Sequence, residues 1–423
     1  MRHALRAGAA AALLGLCTLF PAVAGDAPLG ASLEGLLELA RAGNPEYAGM
    51  RLEADAASER IAPAGALADP KLRVELMDIT KMGEQNPTLL PNQVGSTRYT
   101  LMQDLPWFGK RDLKRDIASQ EFEAAKARAL GTWAELSTRI KSAHAQLYFL
   151  HQSERLSKEI LDLMARLEQV AQARYAGGLA AQQDVIRAQV EQSNMRNELI
   201  ALENEQRMAR ARLNAVLARP ATAALAAPEQ LRPLPAAARL QYGALEERVR
   251  SRSPQLFSQD AQVRAAQSAR ALTYKNRYPD FNVSITPVQY ESAIKEWSLM
   301  VELNIPLQQS TRRAQEREAE AMVLAASARR QATANQILSD LAENLSGLDA
   351  AHRTEVTITT SLLPQADLTF RAALASYETG KVDFATLLDA QRQIRQAKQS
   401  LIKTRTEAQT RLAEIEKLLG EDV

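Results

Sequence analysis

This sequence predicts a mainly α-helical chain that contributes strands to a transmembrane β-barrel, built from two copies of one helix, strand, strand, long helix, turn, helix unit. Three observations predict it. Four landmarks recur in the same order about 200 residues apart. Short runs alternate apolar and polar residues over the length a membrane-crossing strand needs. Two other stretches keep helical periodicity far beyond the ordinary helix length of about 25 residues. The landmarks are Asn44-Pro45-Glu46 and Ser253-Pro254-Gln255; Asp69 to Leu76 and Tyr278 to Ile285; Gln103-Asp104-Leu105-Pro106 and Leu303-Asn304-Ile305-Pro306; and Arg174-Tyr175-Ala176-Gly177-Gly178 and Ser376-Tyr377-Glu378-Thr379-Gly380. Repeat one is expected over 25–217 and repeat two over 241–423, with a linker at 218–240.

Residues 1–24 read as an export signal. Arg2 and Arg6 precede an apolar run from Ala7 to Phe20, and Ala22-Val23-Ala24 fits a small-residue cleavage site. The run is too short for a membrane span. Cys17 is the only cysteine, and Leu16 stands where a lipoprotein signal carries a small residue. Cleavage after Ala24 would leave a chain without cysteine and hence without disulfides.

Leu33 to about Ala66 reads as helix, with Leu245 to about Lys275 as its counterpart. Asn44-Pro45 and Ser253-Pro254 mark a start or a kink in each. Strands are expected at about 71–80, 98–105, 280–288 and 296–305. Leu72, Val74 and Leu76 alternate with Arg73, Glu75 and Met77; Phe281, Val283 and Ile285 with Asn282, Ser284 and Thr286; Trp297, Leu299, Val301, Leu303 and Ile305 with Ser298, Met300, Glu302 and Asn304. The second strand is weakest, because Gln103 interrupts the face of Tyr99, Leu101 and Leu105. Trp107, Phe108, Tyr278 and Phe281 mark one end of the strands and Tyr99, Tyr290 and Trp297 the other, as interfacial girdles would.

Four strands cannot close a barrel, and lipid does not tolerate an open edge. Other copies must complete it. Two copies would give eight strands and a filled interior, three copies twelve strands and a passage.

Helices from about Gly109 to Tyr175 and from about Gln309 to Tyr377 would each be about 100 Å long. Leu156, Ile160, Leu163, Leu167 and Val170 form a 4-3-4-3 seam, and Ile394, Ala397, Leu401, Ala408, Leu412 and Ile415 keep a similar register. The helices after the turns, about Ala181–Val216 and Asp383–Leu419, are half as long. Turns are expected at about 175–180 and 377–382, with Gly178 and Gly380 in the left-handed region.

The formal charge is +2, falling to about zero without Arg2 and Arg6. No basic patch is interleaved with aromatics, so nucleic acid is not an expected partner. No nucleophile–base pair, phosphate loop or ligand spacing is present, so no catalytic residue, metal site or cofactor is expected. His144 and His151, seven apart on one face, read as two solvated imidazoles. Met77, Met82 and Met102 read as a cluster at the outer strand ends, packing rather than binding Cu(I).

The duplicated turns, Tyr175-Ala176-Gly177-Gly178-Leu179 through Asp184-Val185 and Tyr377-Glu378-Thr379-Gly380-Lys381 through Leu387-Leu388-Asp389, resemble those of the TolC family of outer-membrane efflux ducts. Leu213-Asn214-Ala215-Val216-Leu217-Ala218-Arg219 resembles another signature of that family. Ala68-Asp69-Pro70-Lys71-Leu72 and Gln103 through Arg111 are most similar to the heavy-metal ducts of CzcC and CusC type.

The resemblance implies a homotrimer with a twelve-stranded barrel in outer-membrane lipid and a periplasmic helical tunnel in a Gram-negative cell. It implies a periplasmic adaptor (membrane fusion protein) meeting the turns and a proton-driven RND-type pump in the inner membrane. It also implies a gate at the tip. Asp184 and Asp389 would form carboxylate rings, Gly178 and Gly380 would sit in the adaptor-contact turns, and Tyr175, Tyr377, Lys381 and Thr386 would flank the gate. Two departures are visible. Thr386 stands where repeat one has Asp184, and Val382 stands where a basic residue latches other ducts, leaving Lys381 as the substitute. A drug-efflux or protein-secretion duct shares this fold, and a soluble periplasmic coiled-coil adaptor is the reading from another class.

Overall fold

The computed structural model describes residues 29–423. The expected signal at 1–24, with Cys17, lies outside the described residues. The chain begins with α1 (Leu33–Gly43) and α2 (Pro45–Glu59), followed by the single turn α3 (Ile61–Ala64). Asn44 both ends α1 and caps α2, accepting the Tyr47 amide at 3.0 Å. Pro45 occupies the first helical position, where its missing N–H leaves nothing unpaired. The second unit does the same: α6 (Tyr242–Arg252) stops at Ser253, and α7 (Pro254–Lys275) starts on its proline. The two long leading helices expected from the sequence are therefore each divided at the proline.

Strands β1 (Lys71–Met77), β2 (Ser96–Leu105), β3 (Phe281–Tyr290) and β4 (Ala293–Leu303) form one antiparallel sheet in the order β1-β2-β3-β4. The two hairpins join through β2 and β3. One face carries the cross-strand row Leu72–Leu101–Ile285–Leu299, and the other the row Lys71–Met102–Ser284–Met300. The aliphatic row is exposed in the isolated chain, although transfer of each such side chain from water is worth about 1.5–3 kcal/mol. Neither β1 nor β4 has a second neighbour among the described residues, so both outer edges are open. Gln103 lies on the aliphatic face, but its amide turns back to the Ala68 carbonyl at 2.8 Å, near the base of the sheet.

From β2 the chain enters α4 (Lys110–Ala176), a helix of 67 residues. It is the spine of the molecule and packs against α2, α5 (Gln182–Val216), α7 and α10 (Phe384–Leu419). Its counterpart is not the unbroken helix the sequence predicts. It consists of α8 (Gln309–Thr357), a π turn at Ile358–Leu362 and α9 (Leu363–Glu378). The Leu363 amide bonds back to the Ile358 carbonyl, one residue further than in an α-helix. Pro364 follows directly. It has no N–H, and its ring would collide with the carbonyl four residues back in a regular helix, so the wider turn accommodates it.

The seam residues Leu156, Ile160 and Leu167 are buried near the tip with Met164, Met195, Tyr377, Phe384 and Leu387, a core drawn from both units. Midway along the rod the 218–240 linker crosses the helices. There Lys141 of α4 reaches Glu416 of α10 at 2.8 Å, and linker Arg232 grips the same carboxylate with bonds of 2.9 and 2.7 Å. Asn214, in the sequence signature that closes the first unit, is buried and donates to Ala221 and Ala223 carbonyls at 3.3 and 2.8 Å, folding the start of the linker.

Candidate functional site

The expected site lies at the tip, where α4 turns into α5 and α9 turns into α10. The turns are built alike. In the first, the Leu179 amide bonds the Arg174 carbonyl at 2.8 Å and the Gly178 amide bonds Tyr175 at 2.9 Å. In the second, Lys381 bonds Ser376 at 2.8 Å and Gly380 bonds Tyr377 at 3.0 Å. Gly178 and Gly380 have φ of +69° and +74°. These are paired Schellman stops, in which a left-handed residue lets the last carbonyls of the helix find donors.

The chain then restarts differently in the two turns. Asp383 caps α10, accepting from the Thr386 amide at 2.9 Å and its hydroxyl at 2.6 Å. These bonds, with the charge of Arg187, hold the Asp383 carboxyl below its ordinary range. Thr386 is thus part of a helix cap. The first turn has Ala181 at the capping position and no side-chain cap.

Tyr377 is buried against Phe384, ring centroids 5.3 Å apart, and its hydroxyl lies opposite Asp184 of the other unit. No bond within 3.5 Å satisfies that hydroxyl among the described residues. Burial, then the Asp184 charge, pushes the phenol above its ordinary pKa and keeps it neutral. Asp389 is placed otherwise. It is exposed on α10 with Arg392 of the same helix at 3.8 Å, and Arg392 also reaches Glu191 of α5 at 3.3 Å. Lys381 is exposed and makes no ion pair among the described residues, so the cation beside Asp389 is Arg392, not Lys381. Tyr175 is exposed, and Val382 packs against the tip core.

Three tip residues were not singled out from the sequence: Arg174, Asp383 and Arg392. Each had a local signal. Arg174 is a basic residue in the last turn of a helix, Asp383 precedes a helical run as a capping residue, and Arg392 follows Asp389 at i+3. Arg174 Nη1 donates to the Tyr377 and Glu378 carbonyls at 2.6 Å each, and Nη2 donates to Leu179 at 3.2 Å.

At the other end of α4, the Trp107-Phe108-Gly109-Lys110 run forms the joint between sheet and rod. Gly109 has φ +76°, and Lys110 is 4% exposed. The Lys110 ammonium donates to Asp280 at 2.8 Å and to the Tyr278 carbonyl at 3.1 Å, and Asp280 also accepts the Trp107 amide at 2.8 Å. Trp107 stacks on Tyr278 and Phe281 at 5.1 and 5.5 Å. These residues hold the elbow; none of their contacts is a ligand set.

Two expectations are corrected. His144 is buried, not solvated. Burial lowers its pKa most, Arg232 lowers it further, and Glu34 and the Ala31 backbone oppose the shift. The packing of α1 and the linker over α4, invisible in a seven-residue spacing, covers it. The methionines do not cluster: Met77 pairs with Ser96 and Met102 with Lys71, at opposite ends of β1. Among the described residues no group of three His, Cys, Asp or Glu side chains could hold a metal ion, and no helix is long and apolar enough to cross a membrane.

This chain is 25% identical over 398 residues to the cobalt-zinc-cadmium resistance protein CzcC of Cupriavidus metallidurans, covering 92% of this chain and 90% of that protein. Its fold is similar to that of the outer membrane protein VceC of Vibrio cholerae, with a TM-score of 0.79 at 18% identity, covering 92% of this chain and 96% of that one. It is also similar to CusC, with a TM-score of 0.73 at 15% identity, covering 92% of both chains. The outer membrane efflux protein family matches residues 36–219 and 245–421, one stretch in each unit on either side of the linker. With paired strands, long helices and matched turns spanning both stretches, the chain belongs to the outer membrane efflux protein family.

Proposed function

We propose that this chain is the outer-membrane duct of a three-part export system and that its cargo is transition-metal cations. The observation that carries the duct is the sheet: an exposed aliphatic face between two open edges. Exposed edges cannot face lipid, so copies must join edge to edge, and three of them give twelve strands and a passage. The helices then continue the passage through the periplasm as a tube. The tip forms the gate, with Tyr377 and Asp184 meeting across the two units and Asp389 presented on α10. The turn surfaces at Gly178 and Gly380 receive a periplasmic adaptor, and an RND-type pump in the inner membrane supplies the energy.

Support for metal cargo is the similarity to the cobalt-zinc-cadmium resistance protein over most of both chains. Deleting the gene should sensitise cells to zinc, cobalt, cadmium, copper or silver, read as the minimum inhibitory concentration. Sensitivity limited to organic drugs, or loss of a secreted protein with metal tolerance intact, would transfer the duct to another cargo. Extraction into the aqueous fraction without detergent would favour a soluble periplasmic adaptor instead.

A further inference from the structure

We propose that Met102 and Met300 form a thioether site for a soft monovalent cation, of the class of Cu(I) and Ag(I), on the inner face of the sheet. The inference rests on the reading of the chain as a metal-export duct and narrows its cargo. Met102 of β2 and Met300 of β4 are each paired with Ser284 of β3, so the three stand side by side on one row. They lie on the face opposite the aliphatic row Leu72–Leu101–Ile285–Leu299. In a closed barrel the aliphatic face meets lipid and the methionine face lines the passage. Neighbouring strands are about 4.8 Å apart, so the two methionine backbones flank the serine at about 10 Å, a gap that two long side chains leaning toward each other close.

The groups around the pair point to a ligand. Met300 is exposed on a face whose adjoining row is Arg73, Thr100, Thr286 and Ser298, so it has no apolar core to join. Ser284, between the methionines, is 2% exposed, and its hydroxyl has no partner within 3.5 Å among the described residues. The side-chain oxygen of Asn282, next along β3 on the same face, is likewise buried and unpartnered. Buried polar atoms are ordinarily bonded, and a cation held by the thioethers supplies a partner through the water it retains. The negative charge comes from Glu302, which pairs with Asn282, follows Met300 on the same face and makes no ion pair among the described residues. Asp104, on the other side of Asn282, is already taken by Lys71 at 2.9 Å and by the Asn282 amide at 2.7 Å. Thioether sulfur favours Cu(I) and Ag(I), whereas zinc takes thiolate, imidazole or carboxylate. Neutral sulfurs also hold an ion weakly enough to release it, as a conducting path requires.

The test is silver binding by the detergent-solubilised full-length protein, titrated calorimetrically with silver nitrate in chloride-free buffer. Exchanging methionine for leucine conserves volume, so the sheet is retained. The double variant Met102→Leu/Met300→Leu should bind silver about tenfold more weakly than the wild type, with zinc binding unchanged. Met82→Leu, which alters a fully exposed methionine outside the row, should keep wild-type silver affinity. In planar bilayers silver should lower wild-type conductance reversibly and act less on the double variant. Equal silver affinity in the wild type and the double variant overturns the site, as does an equal loss in Met82→Leu or a parallel loss of zinc binding. If the double variant forms no trimer, Met300→Leu decides the matter, because that exposed side chain has little packing to lose: wild-type silver affinity there equally overturns the site. Those results leave the duct standing, whereas a wild-type protein that forms no channel overturns the duct reading and the site's place in a passage.

Discussion

Gly178 and Gly380 hold φ of +69° and +74°, where a Cβ meets the following carbonyl. Nothing stands within 4 Å of a Cβ at Gly178, whereas at Gly380 it would also meet Arg174. Valine at either site should therefore cost about 2 kcal/mol of local strain while the distant sheet stays intact. Expected is loss of export with trimer and β-sheet circular dichroism retained; unchanged metal tolerance in both variants would remove the turns from the mechanism. His144 makes a separate prediction. Its folded pKa is depressed, so the unfolded chain binds the proton more readily. The neutral buried form contributes its full stability above the ordinary histidine pKa of about 6.5 and loses it as pH falls below that value toward the folded pKa. The difference in unfolding free energy between wild type and His144→Leu, measured by denaturant titration, should therefore vary with pH below neutrality, with a slope of at most about 1.4 kcal/mol per pH unit. A pH-independent difference would mean that His144 binds its proton equally in the folded and the unfolded chain, against the burial seen here.

At the scale of elements, the elbow between β2 and α4 depends on a lysine with almost no access to water. In Lys110→Met the Asp280 carboxylate keeps only the Trp107 amide. Because Asp280 is itself half exposed, the expected loss is about 2 kcal/mol rather than the larger cost of a fully buried pair. Thermal unfolding of the detergent-solubilised protein measures it, and an unshifted transition would show that the joint is held by the Trp107 stack. On α10, Asp389→Asn should reduce cation selectivity, read as a smaller reversal potential across a salt gradient. Arg392 keeps its ion pair with Glu191 and loses its neighbour on α10. Asp184→Asn should alter selectivity less, since that carboxylate faces the Tyr377 phenol. Wild-type selectivity in the double mutant would place the gate elsewhere. The π turn before Pro364 belongs to this scale too: the helix expected from about Gln309 to Tyr377 ran unbroken through that proline, and the local repair that keeps the rod continuous appears only in the structure.

At the scale of the molecule, both edges of the sheet are open among the described residues, while the chain packs one long rod along its length. Cross-linking in mild detergent should stop at three copies. A monodisperse monomer with an intact β signal would defeat the closed barrel, because an exposed edge would then be stable.

The sequence by itself determined the order of elements, the strand alternation, the seam of Leu156, Ile160 and Leu167, and the two glycine stops. Each of these rests on a period or a backbone requirement that a few neighbouring residues express. Only the tertiary structure decided the contacts between distant segments. It buried His144 under α1 and the linker, set Met77 and Met102 at opposite ends of the β1–β2 pairing, and gave Lys110 to Asp280 across 170 residues. It also carried Arg174 from the first turn onto the carbonyls of the second, 203 residues away. Periodicity fixes which face of an element is apolar. It carries no information on which distant charge that face will meet, and the contacts of Arg174 at the tip are made of such meetings.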